Sequence, residues 1–215
     1  MSLMTMIIKM SEGLGKTCAI FSLTLLFSLP LGMIVALLRM SKVKVVSAIT
    51  RFFITVIRGT PLMLQLLAVT YGPYYLFNVS VSRNKLIPVV IAFSINYAAY
   101  FAEIYRGGIE SIPAGQYEAA SVLGYTKLQT FMRIVLPQVV KRIMPSVTNE
   151  VVTLVKDTSI AFTVSYQEMF TIGKQIANSQ TSFLPFVIAG VFYYVFNFIV
   201  DRVMGRIEKS MDYYK

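Results

Sequence analysis

Long uncharged stretches separated by clusters of basic residues are the main pattern along this chain. Residues 17–38, 59–82 and 175–200 contain no charged side chain. A helix of about 20 mostly apolar residues is long enough to cross the roughly 30 Å hydrocarbon core of a membrane. Hydrophobic residues make up 56% of the sequence, and the mean hydropathy is +0.66. The pattern therefore predicts an integral membrane protein built from helices.

Five helical spans account for this pattern, at about residues 17–39, 53–77, 86–106, 138–165 and 183–204. The fourth span is the least apolar, because charged side chains of both signs interrupt it. Charges in a membrane helix are unfavourable unless they face a partner or water, so the interruption indicates a discontinuous helix that lines a solute path. We predict an all-α protein with a single transmembrane domain over residues 1–215, in which residues 1–16 form a short helix on the membrane surface.

Composition excludes several other classes of protein. The net charge is +10, but the Lys and Arg side chains are scattered between the apolar spans, so nucleic acid is not an expected partner. The chain has one cysteine, Cys18, and no histidine. This leaves no internal disulfide, no Cys/His metal site and no Ser/His or Cys/His catalytic arrangement. We therefore expect neither an enzyme nor a metal protein.

The basic residues also predict how the chain crosses the membrane, since cytoplasmic loops carry an excess of Lys and Arg. With five spans and the amino terminus outside, fourteen of the twenty cations lie inside, Lys215 at the carboxyl terminus among them, and Lys156 lies within the membrane. The remaining cations are placed outside: Lys9, Lys16, Arg83, Lys85 and Lys174. The same assignment places the polar stretch between the third and fourth spans in the cytoplasm.

That polar stretch, at about residues 113–136, has the local pattern of two short helices. Gly115 precedes a run of helix-forming residues at positions 116–123, and Gly124 then ends or bends this first helix. Residues 126–135 follow as the second helix. Together they predict a helix, a turn and a helix lying at the membrane surface.

The order of residues in this stretch resembles a known signature. Written as EAA-x3-G-x9-I-x-LP, it is similar to the cytoplasmic EAA motif of ABC importer permeases, and the matching residues are Glu118, Ala119, Ala120, Gly124, Ile134, Leu136 and Pro137. Three other stretches are similar to the polar amino acid uptake subgroup of these permeases: RGTP-x3-Q from Arg58, NYAAYFAEIYRGGIESIPAGQYEAA from Asn96, and KDTS from Lys156. The resemblance extends over about residues 17–205.

The resemblance implies a fold, a function and a set of partners. The fold is the five-helix core of a type I importer permease, and the function is that of a permease subunit in an ATP-driven importer of polar amino acids in the bacterial inner membrane. The partners are a second permease chain, identical or related, two copies of an ATPase subunit, an extracytoplasmic amino-acid-binding protein and the membrane lipid. The chain has no phosphate-binding loop, so ATP and Mg²⁺ belong to the ATPase and this chain binds no cofactor. Residues implied in coupling to the ATPase are Gly115, Glu118, Ala119, Ala120, Leu123, Gly124 and Pro137.

Polar side chains within the spans are candidates for the solute path, because an amino acid zwitterion needs both of its charges matched in a low dielectric. We select Gln65, Asn96, Tyr100, Glu103, Asn149, Glu150, Lys156, Asp157 and Ser159. The carboxylates suit an ammonium group, whereas Lys156 and the amides and hydroxyls suit a carboxylate. We expect Glu150 and Lys156, near the middle of the fourth span, to contribute most.

Several of these assignments have an alternative. Gln65 suits a helix-packing amide equally well, and Lys156 can instead form an ion pair with Glu150 or Asp157 that only holds helices together. For the whole protein, a secondary transporter or channel subunit that works without ATP also explains charges within the membrane. A purely structural membrane subunit explains the spans alone. The resemblance covers cystine, glutamine, arginine and histidine importers alike.

Overall fold

The computed structural model describes residues 1–80 and 84–211, and within them every regular element is helical. The α-helices of this part of the chain are α1 (Leu3–Arg39), α2 (Lys44–Gly59), α3 (Leu62–Phe77), α4 (Leu86–Glu110), α5 (Ala114–Val122), α6 (Lys127–Thr130), α7 (Leu136–Asp157), α8 (Met169–Gln180) and α9 (Leu184–Ser210). A π-helical segment, Phe131–Val135, joins α6 to α7, and a 3₁₀ segment, Thr158–Val164, follows α7. Arg83 and Lys215, which the charge count uses, lie outside the described residues.

Among the described residues, three helices are long and apolar enough to cross a membrane: α1, α4 and α9. The pair α2 and α3 passes the same test only when taken together, and the two helices are bent by 107°. α7 is not in this set, and its charged residues are Lys141, Arg142, Glu150, Lys156 and Asp157. The helix that corresponds to the fourth expected span is therefore the one that hydropathy does not find.

The first helix is longer than the sequence predicts. Residues 1–16 do not form a separate surface helix, because α1 runs without a break from Leu3 to Arg39. The reason lies at Gly13, where α1 contacts α8: a Cβ atom added there would lie 2.7 Å from the Cα atom of Met169. The glycine therefore allows the amino-terminal half of α1 to pack closely on α8, and this contact keeps the half-helix aligned with the rest.

The second expected span, residues 53–77, is not one kinked helix. Thr60 has an extended backbone, with φ −118° and ψ 146°, and separates α2 from α3. Pro61 follows it, and a proline disfavours the helical conformation in the residue before it. The proline therefore ends one helix and starts another, and the chain changes direction between them.

α4 is the central helix of the fold. It packs against α1, α2, α3 and α7 and carries the largest fully buried side chains, Phe93, Tyr97 and Phe101. A Cβ atom added at Gly32 of α1 would lie 2.8 Å from the Cβ of Phe101. Small residues of this kind allow membrane helices to approach closely, since packing rather than the hydrophobic effect drives their association in lipid.

The contact between α4 and α7 gives a first prediction. A Cβ atom added at Gly108 would overlap the Cγ2 atom of Ile143, so the Ile143 side chain or the two helices must shift to accept it. We expect Gly108→Ala to destabilise the protein by about 1–3 kcal/mol, as other over-packed cores are. The measurement is the thermal unfolding midpoint of the purified protein in detergent. Gly107→Ala is the matched control, because a Cβ atom there has no neighbour within 4 Å. Equal midpoints for the two variants would show that the α4–α7 contact is looser than described.

Candidate functional site

The exposed helix pair α5 and α6 is the most accessible part of the fold. The two helices are joined at Gly124, whose φ of +76° is a left-handed backbone conformation that residues other than glycine rarely adopt. α5 ends at Val122, close to the predicted end at 123, and Thr126 and Gln129 form a capping box at the start of α6. The local structure thus follows the pattern of helix formers and glycines in the sequence.

Three apolar side chains on and between these two helices are strongly exposed. The exposed fractions are 88% for Val122, 72% for Leu123 and 71% for Leu128. Among the other residues with an expected coupling role, Gly115, Glu118 and Ala119 are also exposed. A group of exposed apolar side chains outside the expected membrane spans is suited to binding another protein. We call the exposed residues of α5, α6 and the turn between them the coupling surface.

Two expected coupling residues do not lie on this surface. Ala120 is only 1% exposed, so its side chain lies beneath the coupling surface and not on it. Pro137 is half-buried in the first turn of α7. Hydrogen bonds then tie the base of α5 to α7: Arg142 donates to the carbonyl oxygen and the hydroxyl of Ser111, and Gln138 to the side chain of Gln116 at 3.4 Å. The coupling surface is thereby fastened to the charged helix α7.

A second group of polar side chains lies where α2, α3 and α4 meet. The Gln65 side-chain amide donates to the carbonyl oxygen of Ile57 at 2.7 Å, and to the carbonyl and hydroxyl oxygens of Thr60 at 3.1 and 2.8 Å. Its oxygen accepts a hydrogen bond from Asn96 at 3.0 Å. Gln65 therefore holds together the end of α2, the start of α3 and the middle of α4, which is the helix-packing role.

Aromatic side chains of α4 continue this polar group towards α7. The Tyr97 hydroxyl donates to the Asp157 carboxylate at 2.8 Å, and the Arg58 guanidinium lies 5.0 Å from the centre of the Tyr100 ring. Glu150 lies close enough to Arg58 and Asp157 for their charges to act on its carboxylate. The structure thus brings Gln65, Asn96, Tyr100, Glu150 and Asp157 into one neighbourhood, with Arg58 and Tyr97 as additional members. We call this group the polar cluster.

The other expected path residues are arranged differently. Lys156 and Asn149 are exposed, and within residues 1–80 and 84–211 no ion pair joins Lys156 to Glu150 or Asp157. Ser159 donates to the carbonyl oxygen of Lys156 at 2.8 Å, within the turn that ends α7. The salt-bridge alternative is therefore not formed in this structure, and Lys156 is accessible instead.

Glu103 belongs to a separate group. It forms an ion pair with Arg106 at 2.6 Å, and Arg106 forms a second one with Glu110 at the same distance. The three residues lie three and four positions apart along α4, which is the spacing for ion pairs on a helix surface. Glu103 shares a helix face with Asn96 and Tyr100, as expected, but its charge is already matched.

Glu168 is a buried carboxylate that the sequence analysis does not single out. It is 0% exposed and caps α8, accepting hydrogen bonds from the backbone N–H of Phe170 and from the N–H and hydroxyl of Thr171 at 2.6–2.7 Å. The Tyr193 hydroxyl of α9 donates to it at 3.1 Å. An acidic residue followed by apolar residues at helical spacing was the available signal for this cap.

Comparison with known proteins identifies close relatives of this fold and sequence. Residues 28–213 match the family described as binding-protein-dependent transport system inner membrane component. The L-cystine transport system permease protein TcyB of Bacillus subtilis is 34% identical over 95% of this chain and 87% of its own length. The octopine transport system permease protein OccM of Rhizobium radiobacter is 38% identical over 92% of this chain and 83% of its own length.

Solved structures agree with the sequence relatives. A crystal structure of an amino acid ABC transporter with histidines superimposes with a TM-score of 0.87 and 28% identity, over 98% of this chain and 99% of the other. An inward-facing structure of the MetNI methionine ABC transporter has a TM-score of 0.77 at 17% identity, over 98% and 99% of the two chains, and shows the same fold.

Proposed function

The chain belongs to the family of binding-protein-dependent transport system inner membrane components, as a permease subunit of the amino acid ABC transport kind, and on that premise we propose how it crosses the membrane, couples to ATP and binds solute. The observation that carries the proposal is the coupling surface. It presents exposed apolar side chains on two short helices that contain the EAA residues. An apolar surface of this kind fits the groove of a partner protein better than it fits water.

Coupling proceeds through the covalent and hydrogen-bonded connection between α5 and α7. Two copies of an ATPase, which hold ATP and Mg²⁺, close on each other, and the helix in the groove moves with them. Since Arg142 and Gln138 of α7 bond to Ser111 and Gln116, a displacement of α5 displaces α7. The polar cluster contains Glu150 and Asp157 of α7, so the solute path changes with the ATPase state.

The membrane arrangement that we propose has five spans, with the amino terminus outside and the carboxyl terminus in the cytoplasm. α1, α4 and α9 supply three of them, and α3 and α7 supply the remaining two. α3 is short and α7 is charged, which is the discontinuous geometry expected beside a solute path. A second permease chain completes the path, and an extracytoplasmic binding protein delivers the solute to it.

The solute that we propose is a polar amino acid. The named relatives are permease proteins of transport systems for cystine and octopine. Both of these solutes contain an amino group and a carboxylate on the same carbon. The polar cluster offers the carboxylates of Glu150 and Asp157 for an ammonium group, while the accessible Lys156 and the amide of Asn149 suit a carboxylate. In this assignment Gln65 and Glu103 position helices and do not contact the solute.

The test is uptake and ATP hydrolysis by the permease co-purified with its ATPase and reconstituted in lipid vesicles with the binding protein. In the wild type, we expect hydrolysis to rise when the binding protein is loaded with amino acid. We expect Glu150→Gln combined with Lys156→Gln to reduce uptake by about 30-fold or more, because each solute charge loses a charged partner in a low dielectric. Glu12→Gln combined with Lys9→Gln removes the same charges from an exposed face of α1 and serves as the control.

The outcomes separate the alternatives. Uptake that proceeds without ATP or an ATPase would favour a secondary transporter or channel. Normal uptake by an assembled Glu150/Lys156 variant would remove these two residues from the solute site while leaving the importer function in place.

A further inference from the structure

α2 carries three different faces along its length. Its buried face, with Thr50 and Ile54, packs against the core formed by α1 and α4. An apolar face, with side chains between 42% and 71% exposed, consists of Val45, Ile49, Phe52 and Val56. A basic face, with exposed residues at intervals of seven, consists of Lys44, Arg51 and Arg58. With 3.6 residues per turn, the apolar face lies nearly opposite the buried face, and the basic face lies beside the buried face.

The basic face opens on a pocket of about 410 Å³ between α2, the end of α1 and α4. Its charged lining consists of one carboxylate, Glu103, and four arginines: Arg39, Arg51, Arg58 and Arg106. Arg106 is matched by its ion pairs, but the Arg51 guanidinium has neither an ion pair nor a hydrogen bond within the described residues. The pocket has an excess of positive charge, and guanidinium groups match the oxygens of a phosphate in pairs.

The orientation of α2 indicates where this anion comes from. α3 runs along α4, and α2 is turned by 107° from α3. In the proposed arrangement α3 and α4 cross the membrane. Because α2 is turned away from α3, its axis then lies close to the membrane plane. Its pocket partners Arg39 and Arg106 lie in the last turns of α1 and α4, so α2 is at the level where these helices leave the hydrocarbon.

We propose that α2 is an in-plane helix of the cytoplasmic leaflet and that its arginine pocket binds the phosphate of an acidic phospholipid. The apolar face then contacts the acyl chains, and the basic face lies among the headgroups. This distribution of apolar and basic side chains is the one that amphipathic helices use at anionic membrane surfaces. The proposal rests on the membrane orientation proposed above and is independent of which solute is carried.

The carboxyl end of α2 is connected to the polar cluster by hydrogen bonds. Gln65 bonds to the Ile57 carbonyl and to Thr60 at the end of α2, and its oxygen accepts from Asn96. Arg58 contributes to the pocket and also lies over the Tyr100 ring. A shift of α2 in the headgroup layer therefore alters the positions of Gln65 and Arg58, and transport depends on the anionic lipid content of the membrane.

The first experiment measures lipid retention by the permease–ATPase complex. The complex is incorporated in nanodiscs of phosphatidylcholine mixed with phosphatidylglycerol, and native mass spectrometry counts the phosphatidylglycerol that it keeps. We expect Arg51→Gln to weaken retention by about fivefold, the contribution of one basic residue near an anionic surface. Arg51→Lys restores part of it. Arg206→Gln, which removes an exposed cation from α9, leaves retention unchanged.

The second experiment measures the depth of α2 in vesicles of the same lipids. Ile49 of the apolar face or Lys44 of the basic face is replaced by Cys in a Cys18→Ala background and labelled with an environment-sensitive fluorophore. We expect lipids spin-labelled on the acyl chain to quench the probe at position 49 more strongly, and lipids spin-labelled on the headgroup to quench the probe at position 44 more strongly. Both positions are exposed, so labelling does not disturb the core.

Three outcomes would overturn the proposal. Retention that does not depend on Arg51 removes the pocket from lipid binding. Displacement of phosphatidylglycerol by inorganic phosphate at low concentration identifies a soluble anion as the ligand. Cross-linking of position 49 to a second permease chain, without quenching by lipid, identifies a protein interface instead. Loss of ATPase stimulation by the loaded binding protein in every lipid would count against the importer function and is distinguishable from all three.

Discussion

Replacing Leu123 by Asp is expected to abolish binding of the ATPase while the permease itself stays folded. Leu123 is 72% exposed and follows the last residue of α5, so its side chain supports little of the permease's own packing. In the proposed complex Leu123 enters the groove of the ATPase, where a charge without a counter-charge is strongly unfavourable. A buried anchor of this kind contributes about 2–4 kcal/mol to an interface, so binding weakens by about 30-fold to 1,000-fold.

The measurement is the affinity of purified ATPase for the permease in nanodiscs, with thermal unfolding of the permease as the test of folding. Leu123→Lys is the second variant, because a cation is favourable at a helix carboxyl end whereas an aspartate is not. A loss of binding in both variants assigns the effect to burial of an apolar side chain. Leu3→Asp, at the exposed start of α1, is the matched control and is expected to bind normally. If Leu123→Asp binds the ATPase with an affinity within threefold of wild type, the ATPase does not bind at the coupling surface.

The coupling surface is the part of the molecule that sequence predicts best. Its helix boundaries depend on helix formers, a capping Thr126 and a glycine at positive φ, all of which act within a few residues of chain. The exception is Ala120, whose burial depends on what lies beneath α5. A periodic pattern does not show which of two neighbouring alanines faces the protein.

The break between α2 and α3 shows why the spans were harder to place. Residues 59–82 contain no charge, so hydropathy extends one span across Pro61. The 107° bend depends on the extended Thr60 and on the Gln65 side chain that bonds across the break. Such a tertiary hydrogen bond leaves no periodic signal, and the three faces of α2 become meaningful only once its direction is known.

α8 was missed for a different reason. It lies between the fourth and fifth expected spans and has polar residues along its length, so hydropathy does not indicate it, but its apolar side chains recur at helical spacing at Met169, Ile172 and Ile176. These side chains pack with Met6 and Met10 of α1. The long α1 and the unexpected α8 therefore stabilise each other, and neither is evident from its own sequence alone.

Glu168 gives the second large effect, and Glu168→Ala is expected to destabilise the protein by about 3–5 kcal/mol. The carboxylate is fully buried and accepts bonds from two backbone N–H groups of α8, the Thr171 hydroxyl and the Tyr193 hydroxyl. Removing the carboxylate leaves these donors buried without an acceptor, which is more unfavourable than losing one average hydrogen bond. α8 also loses its amino-terminal cap, and this loss accounts for about 1 kcal/mol of the expected destabilisation.

Graded variants distinguish this network from simple loss of packing volume. Glu168→Gln keeps the shape and one acceptor oxygen, and we expect it to cost about half as much as alanine. Tyr193→Phe removes only one of the bonds and is expected to cost about 1 kcal/mol. Thermal unfolding in detergent provides the measurement, and Glu12→Ala, at an exposed acid of α1, is expected to stay within about 0.5 kcal/mol of wild type.

The double variant Glu168→Ala with Tyr193→Phe tests whether the two side chains act on each other. If the 3.1 Å contact stabilises the packing of α8 on α9, the combined loss is smaller than the two single losses together, because the same bond is broken in each. Uptake is expected to fall with stability, since Phe170 of α8 lies edge-on to Phe162 of the 3₁₀ segment that follows Asp157, with ring centres 5.5 Å apart. Strictly additive losses, or a Glu168→Ala variant as stable as Glu12→Ala, would show that α8 is held by its apolar contacts with α1 and not by this carboxylate.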